Sequence, residues 1–219
     1  MHANDYINIG NKVHRLIPSK FPPVLLFDWA ESKDEVEQIA ILEGLTNDRI
    51  TCELGDINLV PNEDWVGGQG SSPLMAAFTH IGYPSRFSKG DFGVYYAADL
   101  LETSIKETVF HRERFYQASD EASCSISMRE YICKVKEQLI NITSPEYSSL
   151  LNPNPSDYKD SQNFGKKMRA NKEWGLYYPS VRRSGGKCFA IFRPNALTIP
   201  TQGCHLKYIW DGSCITEVY

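Results

Sequence analysis

Apolar positions along the chain follow a helical period in some segments and a strand period in others. Residues 31–46 carry Val36, Ile39, Ala40, Leu42 and Leu45 at helical spacing, with Ser32 placed to cap and Glu35 three residues later. A short helix is predicted over 74–80. A longer one is predicted from Leu100 to about Arg114, with Leu101, Ile105 and then Val109 or Phe110 toward the core. Another is predicted over about 157–171. Strand-like runs occupy Gly93–Ala97, Trp174–Tyr178, Phe189–Phe192 and Leu206–Trp210, and 127–142 reads as two strands or a strand and a short helix. Residues 12–30, with Pro18, Pro22 and Pro23, read as an extended or turning lead-in. Residues 61–73 and 144–165 read as loops. Helices and strands mixed in this way predict an α+β fold, and 219 residues without an internal repeat predict a single domain over 1–219.

Composition narrows the function classes. A 42% apolar content supports a full core, and a net charge of −4 gives no basic footprint for direct nucleic-acid binding. The run Lys166, Lys167, Arg169 and Lys172 reads as a solvated face. Apolar runs such as Val24–Phe27 are too short to span a bilayer, and Met1–Asp5 lacks the pattern of an export signal, so no membrane association and a cytoplasmic location are expected. The six cysteines form no CxxC pair and are expected as free, mostly buried thiols. His80, His111 and His205 lack ligand spacing, so no metal is expected. Gly67–Ser72 is glycine-rich but lacks the lysine and strand–loop–helix setting of a P-loop.

The densest stretch is 84–115. Asp99 is placed to cap the helix, with Glu102 completing a capping box. Glu107 falls mid-helix, off the apolar stripe, with Thr103 and His111 as its neighbours one turn away. Strand alternation sends Tyr95 and Tyr96 to opposite faces. Arg86 lies in a turn before the strand, and Ser180 follows Pro179 with no nucleophile elbow around it. Taken singly, each of these residues is better explained as structure: a surface carboxylate, a core tyrosine, a surface arginine, a turn serine.

Jointly they resemble the RES domain. That family pairs an arginine with a tyrosine ten positions on and a glutamate eleven further, the spacing of Arg86, Tyr96 and Glu107; its serine, in a Pro-Ser setting, matches Pro179-Ser180 ahead of Phe192-Arg193-Pro194. Flanking text agrees at Met75–His80, Thr108–Arg114 and Tyr208–Gly212, so the resemblance spans roughly 15–219. Two departures are Phe87, where the family often has tryptophan, and Lys187 or Cys188, where many members have asparagine. The resemblance implies an ADP-ribosyltransferase-like fold of mixed twisted sheets with flanking helices around a cleft for NAD⁺. It also implies a toxin role beside a cognate helix-turn-helix (Xre-type) antitoxin. The implied activities are NAD⁺ hydrolysis or phosphorolysis or, alternatively, protein ADP-ribosylation. A non-catalytic binding module is the third reading, and assembly as a homodimer is left open.

The residue types suit NAD⁺ as a substrate, with no further cofactor. Nicotinamide leaves a cationic pyridinium as a neutral molecule, so no general acid is needed, in contrast to the usual carboxylate pair of glycoside cleavage. One carboxylate, Glu107, suffices to face an oxocarbenium-like ribose. Arg86 suits the pyrophosphate, Tyr96 offers a ring for nicotinamide or a hydroxyl for ribose, and Ser180 is assigned positioning. Ile105 stands two residues before Glu107, where many protein ADP-ribosyltransferases carry an acidic or glutamine partner.

Overall fold

A computed structural model of the chain describes residues 6–19, 26–44 and 55–219. The expectations that involve Pro22, Pro23, Leu45 and Cys52, and the side chains of Ala40 and Leu42, lie outside the described residues.

The strands are β1 (Tyr6–Ile7), β2 (Lys12–Pro18), β3 (Tyr95–Ala98), β4 (Cys124–Lys134), β5 (Leu139–Asn141), β6 (Gly175–Pro179), β7 (Lys187–Ile191), β8 (Thr201–Trp210) and β9 (Ile215–Val218). The helices are α1 (Leu26–Trp29), α2 (Lys33–Gly44), α3 (Ser72–Thr79), α4 (Leu101–Ala118) and α5 (Lys159–Ala170). Among the described residues the strands form one sheet in the order β1-β5-β6-β7-β3-β2-β4-β8-β9, in which only β5 and β6 run parallel. The fold is therefore α+β, as the sequence predicts.

Alternation along the strands sorts the core into two faces. On one face Val13, Tyr95, Ala97, Phe189 and Ile191 pack with Phe27, Val36, Leu74, Met75 and Phe78 from α1, α2 and α3. The other face is divided. Over β5, β6, β7 and β3, the residues Ile140, Leu176, Tyr178, Ala190 and Ala98 pack with Met168 of α5, Leu150 and Phe87. Over β2, β4 and β8, the residues Leu16, Met128, Tyr208 and Trp210 pack with Leu101, Ile105, Val109 and Tyr116 of α4. The predicted stripe of α4 is thus the one that packs on the sheet, although it is only half-buried; the fully buried residues of the helix are Thr103 and Ser104.

The sheet is weakly joined at its centre. Strand β2 pairs with β4 from Lys12 to Pro18 but meets β3 only at His14 and Ala98. Beyond that pair the two strands diverge, and Arg15 spans the gap by donating from Nη1 to the Tyr96 carbonyl at 3.1 Å.

Several local expectations change. The lead-in contains a full strand, β2, because Val13 and Leu16 are buried on opposite faces of the sheet. Helix α4 runs four residues past Arg114, to Ala118. Its capping box does not form: Leu100 is the cap residue, Asp99 Oδ1 accepts from the Thr103 hydroxyl at 2.7 Å, and Glu102 is drawn away to Arg183 at 2.8 Å. At α2 the cap holds in modified form. Ser32 Oγ accepts from the Glu35 N–H at 3.2 Å, while the Glu35 carboxylate accepts from the N–H of Glu31 at 2.9 Å. The stretch read as the 144–165 loop holds 3-10 turns at Pro145–Leu151 and Pro155–Asp157 and the start of α5, and 61–73 holds a 3-10 turn at Asn62–Asp64. Of the described cysteines only Cys133 and Cys188 are buried, whereas Cys204 and Cys214 are exposed.

Candidate active site

Helix α4 presents Thr103, Glu107, Phe110 and His111 toward the divide in the second sheet face. The turn between β6 and β7 comes in over them. A Cβ at Gly186 would lie 2.8 Å from the Thr103 side chain, so glycine permits this approach. The approach brings together residues 73 positions apart: the Ser180 hydroxyl donates to Glu107 Oε1 at 2.5 Å. This is the length of a charge-assisted O–H···O⁻ bond. Ser180 Oγ in turn accepts from the N–H groups of Arg182 at 3.1 Å and Arg183 at 3.0 Å. A hydroxyl has one proton and two lone pairs, so the two N–H groups direct its proton to Glu107.

Cys188 is a site neighbour that sequence reasoning missed. Its thiol donates to the same Oε1 at 3.6 Å, and burial, then the charge of Glu107, pushes its pKa well up, keeping it a thiol. The available signal was strand alternation: Cys188 shares a face with Ala190, opposite Phe189 and Ile191. Among the described residues no donor reaches Glu107 Oε2.

Tyr95 and Tyr96 point to opposite faces, as alternation predicts. The Tyr96 hydroxyl accepts from the Phe87 N–H at 3.1 Å and shares a hydrogen bond with Ser85 Oγ at 2.8 Å. Burial pushes its pKa up to about 12, so it stays a neutral phenol. Arg86, 8% exposed, is turned inward. Its Nη1 donates to the carbonyls of Leu150 at 3.4 Å and Asn152 at 2.8 Å, its Nη2 donates to Tyr158 Oη at 3.0 Å, and its guanidinium stacks on the Tyr158 ring at 4.4 Å. Three of its five N–H donors are thus engaged in fixing the 150–152 wall. Tyr178 lies among these groups. After burial, the charges that act on its phenol include Glu107 and Arg86, and Tyr96 acts on it as well. Of the four residues singled out in the sequence, the fold joins Ser180 directly to Glu107, while Arg86 and Tyr96 are held by other partners.

A cavity of about 600 Å³ opens where β2 and β3 part, lined by Tyr96, Ser85, Leu16 and residues of α3. Its walls carry Arg15, Arg112 and Arg129 and, among the described residues, no carboxylate. Arg15 lies over the Tyr95 ring at 4.5 Å, and its buried Nε–H meets no acceptor among the described residues. Burial lowers the pKa of Arg15, with the Tyr95 interaction working the other way. These arginines were not singled out in the sequence, because their convergence depends on the split in the sheet.

His111 stands one turn beyond Glu107. Burial, then the charges of Arg182, Arg112, Arg114 and Arg86, hold its pKa down to about 4. The residue is exposed, so the arginines are the firmer cause. The glycine-rich loop 67–72 is structural: the Ser71 hydroxyl donates to the Phe27 carbonyl at 3.0 Å, and Asp28 Oδ1 accepts from both the N–H and hydroxyl of Ser72 at the start of α3. The basic run of α5 is dispersed, with Lys166 near Asp91 at 3.5 Å and Arg169 donating to the Phe192 carbonyl at 2.5 Å. Among the described residues no group of three or more His, Cys, Asp or Glu is arranged to hold a metal ion, and no helix is long and apolar enough to cross a membrane.

The family model described as the RES domain matches residues 60–211. An uncharacterized protein, y4oC, of Sinorhizobium fredii (strain NBRC 101917 / NGR234) is 26% identical over 216 residues, 98% of this chain and 90% of that protein. A chain in the crystal structure of the M. tuberculosis MbcT-MbcA toxin-antitoxin complex is similar with a TM-score of 0.39 at 15% identity, covering 59% of this chain and 73% of that one.

Proposed function

The chain belongs to the RES domain family, and on that premise we propose that it is an NAD⁺-consuming toxin that cleaves the nicotinamide–ribose bond and is held in check by a cognate helix-turn-helix antitoxin. The observation that carries the catalytic reading is the 2.5 Å hydrogen bond from Ser180 to Glu107. It orients a single carboxylate and leaves Oε2 to meet substrate.

In the proposed reaction the C1′–N bond of the nicotinamide riboside breaks and its electron pair goes to the ring nitrogen, so nicotinamide departs neutral. Glu107 Oε2 accepts a hydrogen bond from a ribose hydroxyl, and the carboxylate faces the positive charge that grows at C1′. Ser180 holds Oε1 and touches no reacting atom. With the Tyr96 hydroxyl committed to Ser85 and Phe87, its ring serves for stacking rather than its oxygen for ribose. Arg86 supports the 150–152 wall. The pyrophosphate then falls to the cavity whose walls bear Arg15, Arg112 and Arg129, since guanidinium forks suit phosphate oxygens. An acceptor oxygen from water or inorganic phosphate bonds to C1′; water releases a proton to bulk solvent in doing so.

Ile105, two residues before Glu107, packs with Leu16, Met128 and Trp210 on the far side of α4, so nothing at that position reaches an acceptor protein. Incubation of the purified protein with NAD⁺, with and without phosphate, tests the reading. Release of nicotinamide is expected, with ADP-ribose formed from water or its 1″-phosphate from phosphate. Transfer of labelled ADP-ribose to a protein would replace it with the alternative reading. Tight NAD⁺ binding without turnover would reduce the chain to a binding module.

A further inference from the structure

The turn that carries Ser180 is fastened by one side chain that reaches both α4 and the 150–153 segment. The Arg182 guanidinium lies 3.3 Å from the centre of the Phe110 ring on α4. Its Nη2 donates to the carbonyl of Pro153, in the same segment whose Leu150 and Asn152 carbonyls Arg86 holds from within. Its own backbone N–H donates to Ser180 Oγ. Phe110 is three residues beyond Glu107, so it occupies the neighbouring position on the same helix face. The β6–β7 turn, α4 and the 150–153 wall therefore share a single clamp one helical turn from the carboxylate.

Besides Arg182, the turn is held by the Arg183 N–H bond to Ser180 Oγ at 3.0 Å, by the close seat of Gly186 on Thr103 and by backbone bonds. Gly185 adopts φ +77°, the left-handed region, and the two flanking backbone bonds are Ser180 N–H to the Gly186 carbonyl at 2.9 Å and Gly186 N–H to the Arg183 carbonyl at 3.1 Å. Arg183 adds an ion pair to Glu102, whose side chain is 64% exposed, and such a pair contributes little. A guanidinium held on an aromatic face adds a directional contact.

We propose that Arg182 is a positioning residue for the reaction, clamping the β6–β7 turn to Phe110 and Pro153 so that Ser180 holds Glu107 in its reactive orientation. The proposal rests on the NAD⁺-cleavage reading for its kinetic consequence, but its structural consequence stands by itself. Displacement of a catalytic group by about 1 Å costs up to roughly a hundredfold in rate. R182A is therefore expected to lower kcat about ten- to hundredfold with KM for NAD⁺ unchanged within about twofold. A role in binding the anionic substrate would instead raise KM. R182K, which keeps the charge and loses the planar face, falls between wild type and R182A. Because both partners form one contact, F110A combined with R182A is no slower than the slower single variant.

The test measures nicotinamide release by wild type, R182A, R182K, F110A and the double variant, with K166A as a control for loss of a remote surface charge. It also measures amide hydrogen exchange across 180–186 in wild type and R182A. R182M replaces R182A if the latter does not melt cooperatively. Faster exchange in the turn together with a kcat loss at constant KM supports the clamp. Unchanged exchange, unchanged kcat, a loss confined to KM, or losses that multiply in the double variant each overturns it. Wild type that releases no nicotinamide removes the NAD⁺ reading, and the exchange arm still decides the clamp.

Discussion

The Ser180→Ala substitution separates a positioning role for the hydroxyl from a substrate-binding one. Among the described residues it removes the only short donor to Glu107 Oε1, leaving the 3.6 Å thiol contact of Cys188. A hydrogen bond to a charged group contributes about 1.5–3 kcal/mol. If all of that is spent on holding the carboxylate for the transition state, kcat falls roughly 10- to 150-fold, at a decade per about 1.4 kcal/mol. The same change strips the N–H groups of Arg182 and Arg183 of their acceptor. Both lie in a half-buried turn that water reaches, so the stability cost is about 1–2 kcal/mol, or roughly 2–8 °C in Tm for a chain of this size. The assay is single-turnover nicotinamide release at saturating NAD⁺, paired with a melting curve. Ser180→Thr, which keeps the hydroxyl, should retain most of the rate. A Ser180→Ala protein with unaltered kcat and raised KM would refute the argument, because it would place the hydroxyl on the substrate instead of on Glu107.

Other outcomes follow from packing and charge. Gly165→Ala drives a Cβ to within 2.8 Å of Phe87 Cβ and against the Phe87 carbonyl; it should cost about 1–3 kcal/mol by overpacking and slow turnover, since the Phe87 N–H holds Tyr96, and a denaturant midpoint with kcat checks both. Asp64→Ala leaves Arg193, which it holds at 2.7 Å, half of a broken buried pair stacked 3.9 Å from Trp174; a loss of about 3–5 kcal/mol is expected in urea unfolding. His111 has a folded pKa of about 4 against an ordinary 6.5, so as pH falls through that window the unfolded chain takes up the proton first and stability drops. His111→Gln should flatten this acid loss between pH 6.5 and 4 in Tm measurements, and an unchanged slope would show the window belongs to other groups.

The sequence discloses local pattern well and long-range geometry poorly. The α4 stripe, the Tyr95–Tyr96 alternation and strands β6 and β7 are legible because local pattern marks them, whereas β8 begins at Thr201, five residues before the expected Leu206, and β9 carries no signal that predicts it. The α4 capping box misled because Arg183, distant in sequence, competes for Glu102. Strand β2 looks in the sequence like an extended lead-in because its partner β4 lies more than a hundred residues away and Pro18 disguises its end. At the site, spacing marks Arg86, Tyr96, Glu107 and Ser180 as a set without saying what each touches. Only the fold shows that Ser180 serves Glu107, that Arg86 is spent on a wall, and that Arg15, Arg112 and Arg129 gather around the split between β2 and β3.

The central claim is that one oriented carboxylate cleaves NAD⁺, and Glu107→Gln tests it most directly. Glutamine keeps the shape and an acceptor oxygen but removes the charge that faces the ribose. Loss of a preorganised electrostatic group costs roughly a hundred- to a thousandfold in kcat. Nicotinamide released from NAD⁺ is measured for wild type and variant at equal, folded concentrations. The account predicts steady release by wild type and a fall of at least about a hundredfold in the variant. Equal release by the two proteins would contradict it.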